Sequence, residues 1–145
     1  MADVFTVLAG VGMGVTLMLQ AFAVDPGDLT HTAGIITTLS RFAALGGTYL
    51  ALIGLLLVAR VPWLERSVGQ DTLVRWHRSL GPWSLYLITA HLVLVALGYS
   101  LTDHLSWVGE LWVLIAQYPD MLAAAVAFLL FVLVGVTSYK RARAR

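Results

Sequence analysis

The sequence contains no cysteine, which excludes disulfides, iron–sulfur clusters, thiolate catalysis and covalent haem attachment through Cys-x-x-Cys-His. Any metal chemistry must draw on histidine or carboxylates. Charge is almost as scarce, since Asp, Glu, Lys and Arg make up 12% of the 145 residues, about half of the ~25% typical of a soluble domain. Apolar residues take their place, at 59% of the chain with a mean hydropathy of +0.85. Lipid, not water, is therefore the main solvent. The longest stretch with real polar content, residues 60–80, is too short to fold alone, and nucleotide-binding domains of the Rossmann or P-loop type are excluded with it. The formal net charge of +1 carries no nucleic-acid signal, because the basic residues are sorted along the chain.

Uncharged runs organise the sequence. Residues 4–24 lie between Asp3 and Asp25, and 21 residues of helix cover about 30 Å, one hydrocarbon thickness. Residues 42–59, 79–102 and 121–139 form three further runs, bounded by Arg41 and Arg60, Arg78 and Asp103, and Asp120 and Lys140. Backbone groups in lipid must be satisfied internally, and these segments are too apolar for barrel strands. The expectation is an all-α integral membrane protein with four transmembrane helices. Residues 105–118 carry Trp107, Leu111, Trp112, Leu114 and Ile115 but are interrupted by Glu110, and are expected to lie in an interface. The glycines Gly10, Gly12 and Gly14 fall within the first run with no strand before them, which favours helix packing over a nucleotide fingerprint.

The connections differ in sign. Arg60, Arg66, Arg75 and Arg78 join the second and third runs, and Lys140, Arg141, Arg143 and Arg145 follow the fourth, whereas the other two connections hold Asp25, Asp28, Asp103, Glu110 and Asp120 against Arg41 alone. By the positive-inside rule the basic segments and both termini are cytoplasmic. Ala21-Phe22-Ala23 has the form of a signal-peptidase site, but no Lys or Arg precedes it and the apolar run is long for a signal peptide, so it is read as part of the first span. All five tryptophans, Trp63, Trp76, Trp83, Trp107 and Trp112, fall near span ends, as an aromatic belt requires.

Four histidines divide by position. His31 and His104 fall in the acidic connections, as solvated surface residues do. His91 lies inside an uncharged span, where an ionisable side chain needs a partner: either a hydrogen bond from a neighbouring helix or a bond to a cofactor metal. His77 precedes it by 14 residues, which on one helix returns to within about 40° of the same direction while climbing about 21 Å. Such a separation is too great for one metal ion and suits two flat cofactors stacked across a bilayer, for which neutral imidazole is an axial ligand. A helix starting at Pro82 would leave His77 in a loop; an N-cap at Asp71 with Pro82 as a kink keeps both on one helix, and that reading is preferred.

The segment Ala59-Arg-Val-Pro-Trp-Leu-Glu-Arg66, with Gly69-Gln-Asp71, Trp76-His-Arg78, Leu80-Gly81 and Ala90-His91, resembles the ferric reductase-like transmembrane domain. The likeness is to bacterial oxidoreductases with an attached flavodoxin-reductase-type module. Tyr118-Pro-Asp-Met-Leu122 and Val136-Thr-Ser-Tyr-Lys140 resemble the same proteins. The resemblance covers most of the chain and is specific from residue 60 to 99.

This resemblance implies the six-helix core shared with NADPH oxidases and ferric reductases, holding two b-type haems in a bacterial plasma membrane. By carry-over His77 would ligate the inner haem and His91 the outer one. A cytosolic FAD and NAD(P)H module would feed electrons outward to an external acceptor. Arg75 and Arg78, which set orientation, would also pair with haem propionates. Bis-histidine ligation of two haems takes four intramembrane histidines and this sequence has two, so it is expected to be a truncated domain, residues 1–145 of a longer protein. The remaining ligands and the flavin module would then lie in cis; the alternatives are a partner chain in trans, or loss of haem. Two rival functions stay in view: a haem-free four-helix interaction or assembly protein, and a haem-anchoring subunit serving a separate periplasmic enzyme.

Overall fold

The computed structural model describes residues 2–143, and over them the chain is helical with no strand. The helices are α1 (Ala2–Phe22), α2 (Thr32–Val58), α3 (Pro62–Val68), α4 (Gln70–Asp103), α5 (Trp107–Gln117) and α6 (Met121–Arg143), with a 3-10 turn at Pro26–Thr30. Four of them, α1, α2, α4 and α6, are long and apolar enough to cross a membrane. Arg145, the last base of the C-terminal cluster, lies outside the described residues.

Local chemistry sets the joints. Asp25 Oδ1 accepts from the Gly27 N–H at 2.8 Å, with Pro26 opening the 3-10 turn. Ser106 caps α5 in the same way, its Oγ accepting from the Gly109 N–H at 3.1 Å. Two starts differ from the sequence expectation. Helix α2 begins nine residues before Arg41, because helical hydrogen bonding continues past a charged residue once it reaches the polar boundary. Arg41 there approaches Asp28 at 3.7 Å. Helix α4 is capped by Gly69, not Asp71. Gly69 sits at φ +85°, a left-handed conformation that suits glycine, and its carbonyl accepts from the Thr72 and Leu73 N–H groups at 3.2 Å. Asp71 is left in the first turn, where its charge still complements the helix dipole.

Helix α4 runs unbroken through Gly81-Pro82 for 34 residues, so His77 and His91 do share one helix. Its antiparallel partner is α2, and the two meet along a seam with a seven-residue period. On α4 the period is His77, Ser84, His91, Gly98; on α2 it is Ala33, Ser40, Gly47, Gly54. Gly54 faces His77 and Ser40 faces His91, while Gly98 approaches the Ala33 carbonyl. Small residues on α2 let the backbones come close, and a strict seven-residue repeat keeps the seam aligned over its length. At Gly47 a Cβ would stand 2.8 Å from Ile88 Cγ1 and 3.0 Å from the Ile88 backbone nitrogen, so no side chain fits without moving a helix.

Below this seam, Leu57, Leu64 and Leu73 form a buried cluster joining α2, α3 and α4, flanked by Phe5 and Trp76. These two rings stack with centroids 5.9 Å apart and bring α1 into the bundle. Tyr49 completes the attachment by donating to the Ala9 carbonyl at 2.8 Å, its ring lying over Gly12. Helix α6 leans on α4 through Gly135 and Leu85. Most remaining apolar side chains of α1 and α6 are exposed, as lipid-facing helices require.

Candidate functional site

The seam places each intramembrane histidine against a main-chain carbonyl of α2. His77 Nδ1 lies 3.0 Å from the Gly54 carbonyl, and His91 Nδ1 lies 3.1 Å from the Ser40 carbonyl and 2.8 Å from Ser40 Oγ. A carbonyl oxygen can only accept, so in both rings Nδ1 carries the proton and the bare lone pair sits on Nε2. No hydrogen-bond partner of either Nε2 occurs among the described residues. Both residues are partly exposed, within a helix whose surroundings are apolar.

Ser40 adds a second tie. Its hydroxyl donates to the His91 carbonyl at 3.1 Å, which leaves the Oγ lone pairs facing the imidazole N–H. Ser40 is fully buried. Gly54, the equivalent residue two heptads along α2, has no side chain to do the same, and a Cβ there would stand 3.5 Å from His77 Nδ1.

The arginines stand at the His77 end of α4. Arg75 and Arg78 are exposed; Arg75 Nη2 donates to Thr72 Oγ1 at 3.2 Å, and neither is in an ion pair among the described residues. His31 and His104 stay apart from this site. His31 is exposed and donates from Nδ1 to the Gly27 carbonyl at 3.2 Å, and His104 is exposed at the end of α4 with φ +55°.

The family described as ferric reductase like transmembrane component matches residues 43–145, which is most of the chain and includes α4 whole. This protein belongs to the ferric reductase-like transmembrane family. No curated protein and no solved structure matches it. Membership makes it a membrane protein of a redox, haem-associated family and points to a role in membrane electron transfer. Among the described residues of this ferric reductase-like chain, no group of three or more His, Asp or Glu side chains is gathered to hold a metal ion. One neutral imidazole with its Nδ1–H bound to a carbonyl and its Nε2 bare has the donor chemistry of a haem axial ligand. His77 and His91 both have that donor chemistry.

Ser40 and Gly54 escaped the sequence reading. Their signal is the seven-residue spacing of Ser40, Gly47 and Gly54 within a span, matched to the 14 residues between the histidines.

Proposed function

We propose that this protein carries electrons across the cell membrane through two b-type haems, one bound at His77 and one at His91. Electrons pass from a cytosolic NAD(P)H and flavin module to an external acceptor. The observation that supports this reading is the paired geometry of the two rings, whose Nδ1–H groups are held in matching register by α2 with Nε2 bare. Packing alone would call for one intramembrane histidine to be satisfied; two at the same heptad position, each with the same nitrogen left open, suit a repeated ligand.

Haem, when bound, supplies the one-electron chemistry. The chain's residues fix its place. Gly54 and Ser40 hold the rings in one tautomer and one orientation. Arg75 and Arg78 offer planar guanidinium groups to propionates at the His77 end. The apolar faces of α2, α4 and α6 keep water away. Further donors to each haem, and the flavin module, would be supplied in cis or in trans. The basic α2–α4 connection and the Lys140–Arg141 end face the cytoplasm by the positive-inside rule, which puts His77 inside and His91 outside.

The test is an absorption spectrum of the detergent-purified protein before and after dithionite, with haem quantified as the pyridine haemochromogen. A reduced b-type spectrum is expected. His77→Ala and His91→Ala should each remove about half of the bound haem, in keeping with one ligand per haem, and His31→Ala and His104→Ala should remove none. Equal haem in all four variants, or a colourless full-length protein even after haem addition, refutes the assignment and leaves the haem-free interaction role.

A further inference from the structure

The two histidine clamps differ at one residue, and the difference sits on the ligand atom's own ring. Building on the haem reading above, we propose that Ser40 is a positioning residue that tunes the redox potential of the haem bound at His91, setting it apart from the haem at His77.

His77 Nδ1–H has one acceptor, the Gly54 carbonyl at 3.0 Å. His91 Nδ1–H has two, the Ser40 carbonyl at 3.1 Å and the Ser40 hydroxyl at 2.8 Å. The hydroxyl proton is spent on the His91 carbonyl at 3.1 Å, so Oγ faces the ring as an acceptor and not as a competing donor. Stronger hydrogen bonding at Nδ1 moves the ring toward imidazolate and raises the basicity of Nε2. A more basic axial ligand stabilises ferric over ferrous iron and lowers the potential. Burial magnifies the effect, because Ser40 is fully buried and the hydrogen bond acts in low dielectric. The haem nearer the acceptor is thereby made the stronger reductant.

Removing the hydroxyl does not remove the clamp, since the Ser40 carbonyl belongs to the backbone. Tuning and holding can therefore be separated. The experiment is a potentiometric titration of the haem-loaded protein in nanodiscs, followed optically and by electron paramagnetic resonance, for wild type, Ser40→Ala and Ser40→Thr. The expected result for Ser40→Ala is full haem content with one couple shifted upward. At a fixed applied potential its ferrous-to-ferric ratio should rise about tenfold, equivalent to ~59 mV for a one-electron couple, while the other couple stays in place. Ser40→Thr, which keeps a hydroxyl, should return the shifted couple toward wild type. If Ser40→Ala aggregates, Ser40→Cys keeps the side-chain volume with a weaker acceptor and should give a smaller shift in the same direction.

Unchanged couples, a shift shared equally by both haems, or loss of one haem from Ser40→Ala would each overturn the proposal, the last by making Ser40 a holding residue only. Full-length wild-type protein that binds no haem is a separate and earlier failure. It refutes the haem reading itself and takes this inference with it.

Discussion

Glu110 presents a different case of a polar group in an apolar place. It is 2% exposed on α5, and its Oε2 has no hydrogen-bond partner among the described residues. A buried acceptor without a donor costs about 1–3 kcal/mol, more when charged. Glu110→Gln keeps the shape and removes the charge, so it should leave the melting temperature in detergent unchanged or raise it. A clear fall would mean that a cationic partner from outside the described chain meets the carboxylate. The histidines behave in the opposite way, because their Nδ1 protons are fully satisfied and only Nε2 is left open.

At the scale of elements, the α2–α4 seam carries the molecule's specificity. Gly47→Ala should destabilise the pair by about 1–3 kcal/mol, the usual range for overpacking, because the new Cβ meets the Ile88 backbone as well as its side chain. Gly14→Ala, in α1 with no atom of another element within 4 Å of its Cβ position, should be neutral or stabilising by about 0.5–1 kcal/mol. Thermal unfolding of both variants in one detergent checks the contrast. The spans were legible because lipid excludes charge, so uncharged runs mark helices that cross. The start of α2 was not, since that rule stops at Arg41 while helical hydrogen bonding does not. The cap of α4 was misplaced because Asp71 is the better capping side chain, whereas Gly69 is the residue whose backbone can turn left-handed. His77 and His91 stood out as ionisable residues on one face. Their partners did not, because small residues in a membrane helix look alike until a second helix fixes their register.

For the whole molecule, orientation has a direct test. The absence of cysteine makes single-cysteine labelling free of background. Ser67→Cys, at an exposed position of α3, should be protected from a membrane-impermeant maleimide in intact cells, and Asp103→Cys, exposed at the far end of α4, should be labelled. The reverse pattern would invert the proposed direction of electron flow. With the direction proposed above, the two heptads between His77 and His91 acquire an electrical meaning. They separate the rings by about 21 Å of a ~30 Å hydrocarbon layer, so each electron that passes between them crosses roughly two thirds of the membrane field. At ~2.3 kcal/mol per charge per 100 mV, an inside-negative potential of that size assists the step by about 1.6 kcal/mol. Turnover would therefore depolarise the cell, and its rate would follow the membrane voltage.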